Sequence, residues 1–191
     1  MKLIILDRDG VINHDSDAYI KSPEEWQPIP GSLEAIARLN GVGCRVAIAS
    51  NQSGIGRGLF DLNTLTGIHE KMHRALAHVG AHIDAVFFCP HRPADHCRCR
   101  KPQPGMLLDI ARRFSLPLDG VPVVGDSWRD VAAAHAVGAR PILVLTGKGR
   151  RALAEKTPSI TLERHPDLAS VVDTLLAERK AKREPIGPVG R

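Results

Sequence analysis

The sequence predicts an α/β fold of three layers, Rossmann-like, with a mostly parallel sheet covered by helices on both faces. Three observations carry this expectation. Short, uninterrupted apolar runs recur along the chain, the pattern of strands buried on both faces of a parallel sheet. Between them lie stretches with apolar residues at helical spacing. The two signals alternate, as in βαβ crossovers.

Taken in order, Lys2-Leu3-Ile4-Ile5-Leu6 is the first strand, and it breaks abruptly into Asp7-Arg8-Asp9-Gly10. Residues 11–30 show little periodicity; His14, Asp15, Asp17, Tyr19 and prolines at 23, 28 and 30 suit a flap or irregular hairpin. Gly31-Ser32 opens a helix with Leu33, Ile36, Ala37 and Leu39 on one face, stopped near Gly41 or Gly43. Residues 44–50 form a second strand, in which Cys44 is a small core residue, and run into the polar, glycine-rich loop 51–58. An amphipathic helix spans 61–79, with Leu62, Leu65, Ile68, Met72, Leu76 and Val79 in register. Residues 85–88 are the third strand, and helix 104–114 begins at Pro104, a residue suited to a first turn. Residues 121–126 give a fourth strand, 128–137 a helix ended by Gly138, and 141–145 a fifth strand. A short strand near Ile160–Leu162 and a helix at 166–179 close a single domain, 1–179. Residues 180–191 read as a basic, disordered tail. Neither the segment after the first strand nor the one after the third is long enough for a separate cap domain, so the strand ends are expected to be open.

A chain of 191 residues suits one domain with a sizeable core. The net charge of +5 points weakly to a polyanion, but much of the excess lies beyond residue 178. Aromatic residues make up only 4% and do not cluster, which argues against the stacking platforms of a single-strand binder. The N-terminal apolar run is too short for a signal peptide, and no run approaches a membrane span. These features predict a soluble, cytoplasmic protein without nucleic-acid or membrane partners. The absence of a lid and of heptads predicts a monomer.

Polar groups stand at four strand ends: Asp7 and Asp9, Ser50, the basic segment ending at Lys101, and Asp126 with Asp130. Together they make a phosphoryl-transfer site. A carboxylate can attack phosphorus and form an aspartyl-phosphate once the phosphate charge is offset by Mg²⁺ and a lysine. A hydroxyl and backbone N–H groups at Ser50-Asn51 suit phosphoryl oxygens, and a second carboxylate can protonate the leaving alkoxide and then activate water.

Three cysteines and a histidine within 89–99, in a chain without a secretory signal, favour metal over disulfides. Cys89, His91, Cys97 and Cys99 match a closed, tetrahedral Zn²⁺ set with no position left for water, hence a structural site that fixes Arg100-Lys101. His69-Glu70-Lys71-Met72-His73 fits the H-E-x-x-H pattern, but it sits on an amphipathic helix with no third ligand nearby. The acids from Asp7 to Asp17 do not fit an EF-hand, because Gly10 is at the wrong offset.

Four segments, Asp7-Arg8-Asp9-Gly10, Ser50-Asn51-Gln52, Arg100-Lys101-Pro102 and Gly125-Asp126-Ser127-Trp128-Arg129-Asp130, make residues 2 to about 147 resemble a haloacid dehalogenase (HAD) superfamily phosphatase. The resemblance implies that Asp7 is the nucleophile and Asp9 the general acid/base, that Ser50 and Lys101 steady the phosphoryl group, and that Asp126 completes a Mg²⁺ site with Asp7 and the Asp9 carbonyl. Asp130 then either reaches the metal through water or orients the loop. The zinc segment is similar to two families, the D-glycero-D-manno-heptose 1,7-bisphosphate 7-phosphatases and the histidinol-phosphatases. Its short cysteine spacing is like the latter, whereas residues 51–58 and 100–106 look like the former, which is favoured over a histidinol-phosphatase; a nucleic-acid 3′-end phosphatase, which the superfamily includes, is the lesser alternative that the basic tail offers. That family resemblance implies a phosphosugar substrate bound by Asp15, Ser16, Asp17 and Ala18 of the flap with Ser50, Asn51, Gln52 and Ser53. Arg57 and Arg100 are available for a second phosphate, since arginine suits bidentate contacts. Ser50 stands where many members have threonine, and Ser127 where others carry lysine.

Overall fold

The structure, a computed structural model, describes residues 1–155 and 162–182. Its element order is β1 (Leu3–Leu6), α1 (Ser32–Gly41), β2 (Arg45–Asn51), α2 (Ser53–Gly56), α3 (Leu62–His78), β3 (Ala85–Cys89), α4 (Gly105–Phe114), β4 (Pro122–Gly125), α5 (Trp128–His135), β5 (Arg140–Val144), α6 (Gly149–Glu155), β6 (Glu163–His165) and α7 (Leu168–Ala181). Six strands form one parallel sheet in the order β3-β2-β1-β4-β5-β6. The first-strand reading and the α/β architecture hold, with every sheet pairing parallel.

Side-chain alternation along β1 explains the three layers. Ile4 and Leu6 enter a core with α1, α3 and α7, among Ile36, Leu39, Ile68, Met72, Val171 and Val172. Leu3 and Ile5 point the other way, to Leu107 and Ile110 of α4 and Ala133 and Ala134 of α5. All four β1 residues are therefore buried, as a central parallel strand requires. β1 and β4 are adjacent, with Ile5 opposite Val123 and Leu6 opposite Val124, so the residues after both strands emerge side by side. Ligands of such sheets sit outside the strands' carboxyl ends.

Several boundaries differ from expectation. The loop after β2 is not wholly irregular, since 53–56 close a helical turn. Pro104 caps α4 instead of lying in its first turn. The sixth strand pairs three residues later than the Ile160–Leu162 run; Ile160 itself lies outside the described residues. Helix α6 was not anticipated, and α7 continues through Lys180 and Ala181, the first two residues of the expected tail; 183–191 lie outside the described residues. The 11–30 flap is irregular, with isolated bridges Asp9–Asn13 and Asn13–Pro28, yet it is anchored by buried Val11, Ile12, Ile20, Trp26 and Ile29. Lys71 of α3 ties it down by donating to the Pro23 and Trp26 carbonyls at 2.7 and 2.8 Å. No helix among the described residues is long and apolar enough to cross a membrane.

Candidate active site

A cleft of about 250 Å³ opens at the carboxyl ends of the strands. Its lining includes Asp7, Asp9, Ser50, Asn51, Gln52, Ser53, Arg57, Arg100, Lys101, Asp126 and Asp130, together with Asp15, Ser16 and Asp17 of the flap. Of the residues singled out for this site, Ala18 does not reach the cleft; it is exposed, and its amide caps the Ser16 hydroxyl at 3.1 Å. Tyr19 and Ile20 line the flap side beyond it.

Lys101 is the hub. Its buried ammonium lies 2.9 Å from Asp7 Oδ2 and 2.5 Å from Asp130 Oδ1, and it donates to the Ala49 carbonyl at 2.6 Å. Burial disfavours its charge, but Asp130 and Asp7 outweigh that and hold it firmly protonated. Its backbone is fixed by Asn51 through two amide bonds: Lys101 N–H donates to Asn51 Oδ1 at 3.1 Å, and Asn51 Nδ2 donates to the Lys101 carbonyl at 3.0 Å. Asp130 is buried and caps the start of α5, accepting from the Ser127 amide at 3.1 Å. Asp130 thus orients both the lysine and the loop, and it stands within reach of a cation as well.

Asp9 faces a different environment from Asp7. Arg8, fully buried, grips its two oxygens with Nε at 3.0 Å and Nη2 at 2.9 Å, while Asn13 donates at 2.8 Å and Gln52 at 3.0 Å. Burial pushes the Asp9 carboxyl up, but these partners prevail and hold it below the ordinary range. Gln52 also donates to the Ser50 hydroxyl at 2.7 Å, joining the second strand end to this network. His69 borders it, with Nε2 3.4 Å from Arg8 Nη1; burial and Arg8 lower its pKa to about 4, so it stays neutral. That is the place of the H-E-x-x-H pattern: His69 packs edge-on against Phe88, and His73 is exposed. Neither belongs to a metal-binding group among the described residues.

Two groups could hold metal. Carboxylate oxygens of Asp7, Asp126 and Asp130 lie within 4.8 Å of one another. Burial raises the Asp7 carboxyl to about 7, with Asp130 and Asp9 adding repulsion that Lys101 only partly offsets. Burial, then Asp7 and Asp130, raise Asp126 to about 8. Such a cluster carries more negative charge than Lys101 offsets, a deficit that a hard divalent cation would make good, so the donor set fits Mg²⁺. Gly10 permits the close packing behind it: at φ +79° it takes a left-handed conformation, and a Cβ there would stand 2.1 Å from Asp126 Oδ2.

The second group is Cys89, His91, Cys97 and Cys99, whose donor atoms also lie within 4.8 Å. The sulfur separations are 3.1 to 3.5 Å, and His91 Nδ1 is 3.5 Å from Cys89 Sγ and 3.3 Å from Cys99 Sγ. Zn–S bonds of about 2.3 Å in a tetrahedron put sulfurs about 3.8 Å apart, so the four donors fit Zn²⁺ after a small expansion.

Two charged cleft residues were not anticipated. Arg129 is exposed on the first turn of α5, and its charge, after burial, lowers the proton affinity of Arg100. Lys148 follows β5 in the run Thr146-Gly147-Lys148-Gly149. Two glycines flanking a lysine at a strand's carboxyl end were the available signal.

Similar proteins agree with this geometry. A family model described as polynucleotide kinase 3 phosphatase matches residues 2–129, and a HAD-hydrolase-like model matches 98–177. The D-glycero-beta-D-manno-heptose-1,7-bisphosphate 7-phosphatase of Bordetella bronchiseptica is 58% identical over 93% of this chain and 99% of its own. The protein of the same name from Pseudomonas putida is 53% identical over 92% of this chain and 100% of its own. The crystal structure of the Bordetella enzyme, complexed with magnesium and phosphate, superposes with a TM-score of 0.91 over 93% of this chain and 99% of that one. The chain therefore belongs to the HAD-like phosphatases and, within them, to the D-glycero-beta-D-manno-heptose-1,7-bisphosphate 7-phosphatase family.

Proposed function

We propose that the protein hydrolyses the 7-phosphate of D-glycero-D-manno-heptose 1,7-bisphosphate, a step toward nucleotide-activated heptose for lipopolysaccharide core or surface glycans. The observation that carries this is the convergence of Asp7, Asp9, Lys101, Asp126 and Asp130 in one cleft of a chain 58% identical to a relative of that name. Mg²⁺ held by Asp7, Asp126 and the Asp9 carbonyl supplies charge neutralisation to the phosphate and to its carboxylate ligands. Lys101 adds a fixed positive charge, and Ser50 with the Asn51 amide orients the phosphoryl oxygens. The Asp7 carboxylate attacks phosphorus, the P–O bond to the sugar breaks, and Asp9 gives its proton to the leaving alkoxide. Asp9 then takes a proton from water, whose oxygen attacks the aspartyl-phosphate; inorganic phosphate leaves and Asp7 is restored. Arg8 alone would keep Asp9 ionised, and a phosphate dianion beside it raises its proton affinity at the moment a proton is needed.

The second phosphate lies outside the reaction centre, where Arg57, Arg100 and Arg129 line the rim. Arg129 supplies there the positive charge that Ser127 lacks. The catalytic unit is the domain 1–179 with the last turn of α7. We infer a cytoplasmic monomer, in keeping with a small phosphosugar substrate.

The test is phosphate release with Mg²⁺ from three substrates: the bisphosphate, histidinol phosphate and a 3′-phosphorylated oligonucleotide. The oligonucleotide is included because the polynucleotide kinase 3 phosphatase model matches 2–129. Tyr19 is the one aromatic ring among the described residues lining the cleft, too few to stack a strand. The bisphosphate is expected to lead by at least about 100-fold in kcat/KM, roughly 2.7 kcal/mol of transition-state preference. Equal or faster turnover of either competitor rejects the reading.

A further inference from the structure

The turn Thr146-Gly147-Lys148-Gly149 has no task in the phosphoryl chemistry, yet it touches three parts of the site at once. Thr146 Oγ1 donates to the Gly10 carbonyl at 2.6 Å. The Lys148 amide donates to Asp126 Oδ2 at 2.7 Å. The Lys148 ammonium lies 2.8 Å from Asp15 Oδ2 and 3.5 Å from Asp17 Oδ1, and Arg151 Nη1 is 3.3 Å from Asp17 Oδ2. The approach depends on glycine: Gly147 has φ +52°, and a Cβ there would stand 2.2 Å from Asp126 Oδ2 and 2.6 Å from the Gly10 Cα.

These contacts change the meaning of the flap acids. Asp15 has both oxygens engaged, Oδ1 by the Ser16 amide at 2.8 Å and Oδ2 by Lys148, so it is an anchor of the flap more than a free acceptor for a sugar hydroxyl. The cleft already holds Asp7, Asp9, Asp126 and Asp130, and Asp15 and Asp17 add two more negative charges on the side an anionic substrate must pass. Uncompensated, they would repel that substrate and each other.

We propose that Lys148 is a positioning residue that ties the flap to the metal-binding carboxylate: its ammonium neutralises Asp15 and Asp17 and holds the flap against the β5–α6 turn, while its amide fixes the orientation of Asp126. Asp126 Oδ1 is left as the oxygen free for a cation. Arg151, one helical turn along, secures the outer edge of the same strap.

The experiment compares Lys148→Met and Lys148→Arg with the parent chain, in kinetics on the bisphosphate and in amide hydrogen exchange of residues 14–21 without substrate. Lys148→Met is expected to raise KM about 10-fold or more while kcat stays within about 3-fold, the signature of lost binding rather than lost chemistry. Flap amides in that variant should exchange about 10-fold faster. Lys148→Arg should recover most of both, and the Mg²⁺ concentration for half-activity should stay the same in both variants, because the backbone amide on Asp126 survives. Unchanged KM with unchanged flap exchange overturns the proposal. So does a kcat loss beyond about 100-fold at constant KM, which would make Lys148 a participant in the chemistry. The kinetic arm rests on the phosphatase reading, whereas the exchange arm does not. Failure of the parent chain to turn over the bisphosphate would therefore count against that reading, and flap exchange would still decide the strap.

Discussion

Asp7 and Asp126 stand just past the ends of packed strands and Asp130 on the first turn of α5, whereas Cys89, His91, Cys97 and Cys99 sit on a loop with one strand residue among them. The carboxylates are brought together by the sheet itself: β1 and β4 are hydrogen-bonded neighbours, and the Asp7 amide donates to the Val124 carbonyl at 2.8 Å. The sheet holds them close although burial, with the repulsion of neighbouring acids added to it, raises Asp7 to about 7 and Asp126 to about 8. The zinc-type loop has no comparable support. Residues 91–96 are exposed, and their regular structure is a single 3₁₀ turn at Pro93–Asp95. One cluster is thus a preformed site, and the other a set of donors whose metal would supply folding energy to the loop. The two meet at Arg100-Lys101, which follow Cys99 directly and reach the carboxylates within two residues.

The largest effect should come from the preformed cluster. Asp7→Asn keeps the side chain's shape and its place after β1 but removes the proposed nucleophile. Activity on the bisphosphate is expected to fall by at least about 10³-fold in kcat, while thermal stability does not decline. Substantial turnover by the variant, measured against a parallel preparation of the parent chain, would take the nucleophile away from Asp7.

Next in size is the loss of the loop metal. Cys99→Ser, or removal of zinc by a chelator with Mg²⁺ kept in excess, should lower kcat/KM by about 10–100-fold, the scale of losing support one layer behind a reactive group. The melting temperature should drop as well, and added Mg²⁺ should rescue neither change. Metal content, melting and kinetics measured together check this. A variant that melts normally would mean that the loop packs without a metal, and the contrast between the two clusters would disappear.

Legibility in the sequence follows the same division. The strand-end residues could be found because a buried parallel strand writes itself as an apolar run, and Leu3 to Leu6 stop sharply at Asp7. The metal loop could be found because thiols and imidazole at short spacing have few other uses. What escaped was settled by burial and by pairing across the fold. Lys148 reads as an ordinary surface lysine until the fold sets it beside Asp15 and Asp17, more than a hundred residues earlier. Arg8 reads as a spacer between two acids, yet it is fully buried and grips Asp9 from within. β6 was displaced because its residues, Glu163-Arg164-His165, carry no apolar signal; an edge strand is specified by the backbone of its neighbour, here Ile142 to Val144. Boundaries such as the end of α7 shifted because helix ends depend on caps and contacts that composition does not encode.

The smallest effect sharpens the account of the carboxylate cluster through its sign. Burial and the neighbouring acids raise Asp126 from its ordinary 3.8 to about 8, so between those values the folded, metal-free protein binds more protons than the unfolded chain. Stability then falls as pH rises through that window. Mg²⁺ should reverse the trend by favouring the ionised carboxylates. Asp126→Asn removes the titrating charge while its side-chain oxygen can still accept the Lys148 amide. Without Mg²⁺ the variant should be more stable than the parent chain at pH 8, by an amount on the order of 1 kcal/mol, and converge with it near pH 4. It should also gain less from added Mg²⁺. Melting curves across this pH range, with and without the ion, decide the matter: a variant that is less stable than the parent at pH 8 would mean that neither burial nor the neighbouring acids penalise an ionised Asp126, and that the sheet holds the cluster together at no cost.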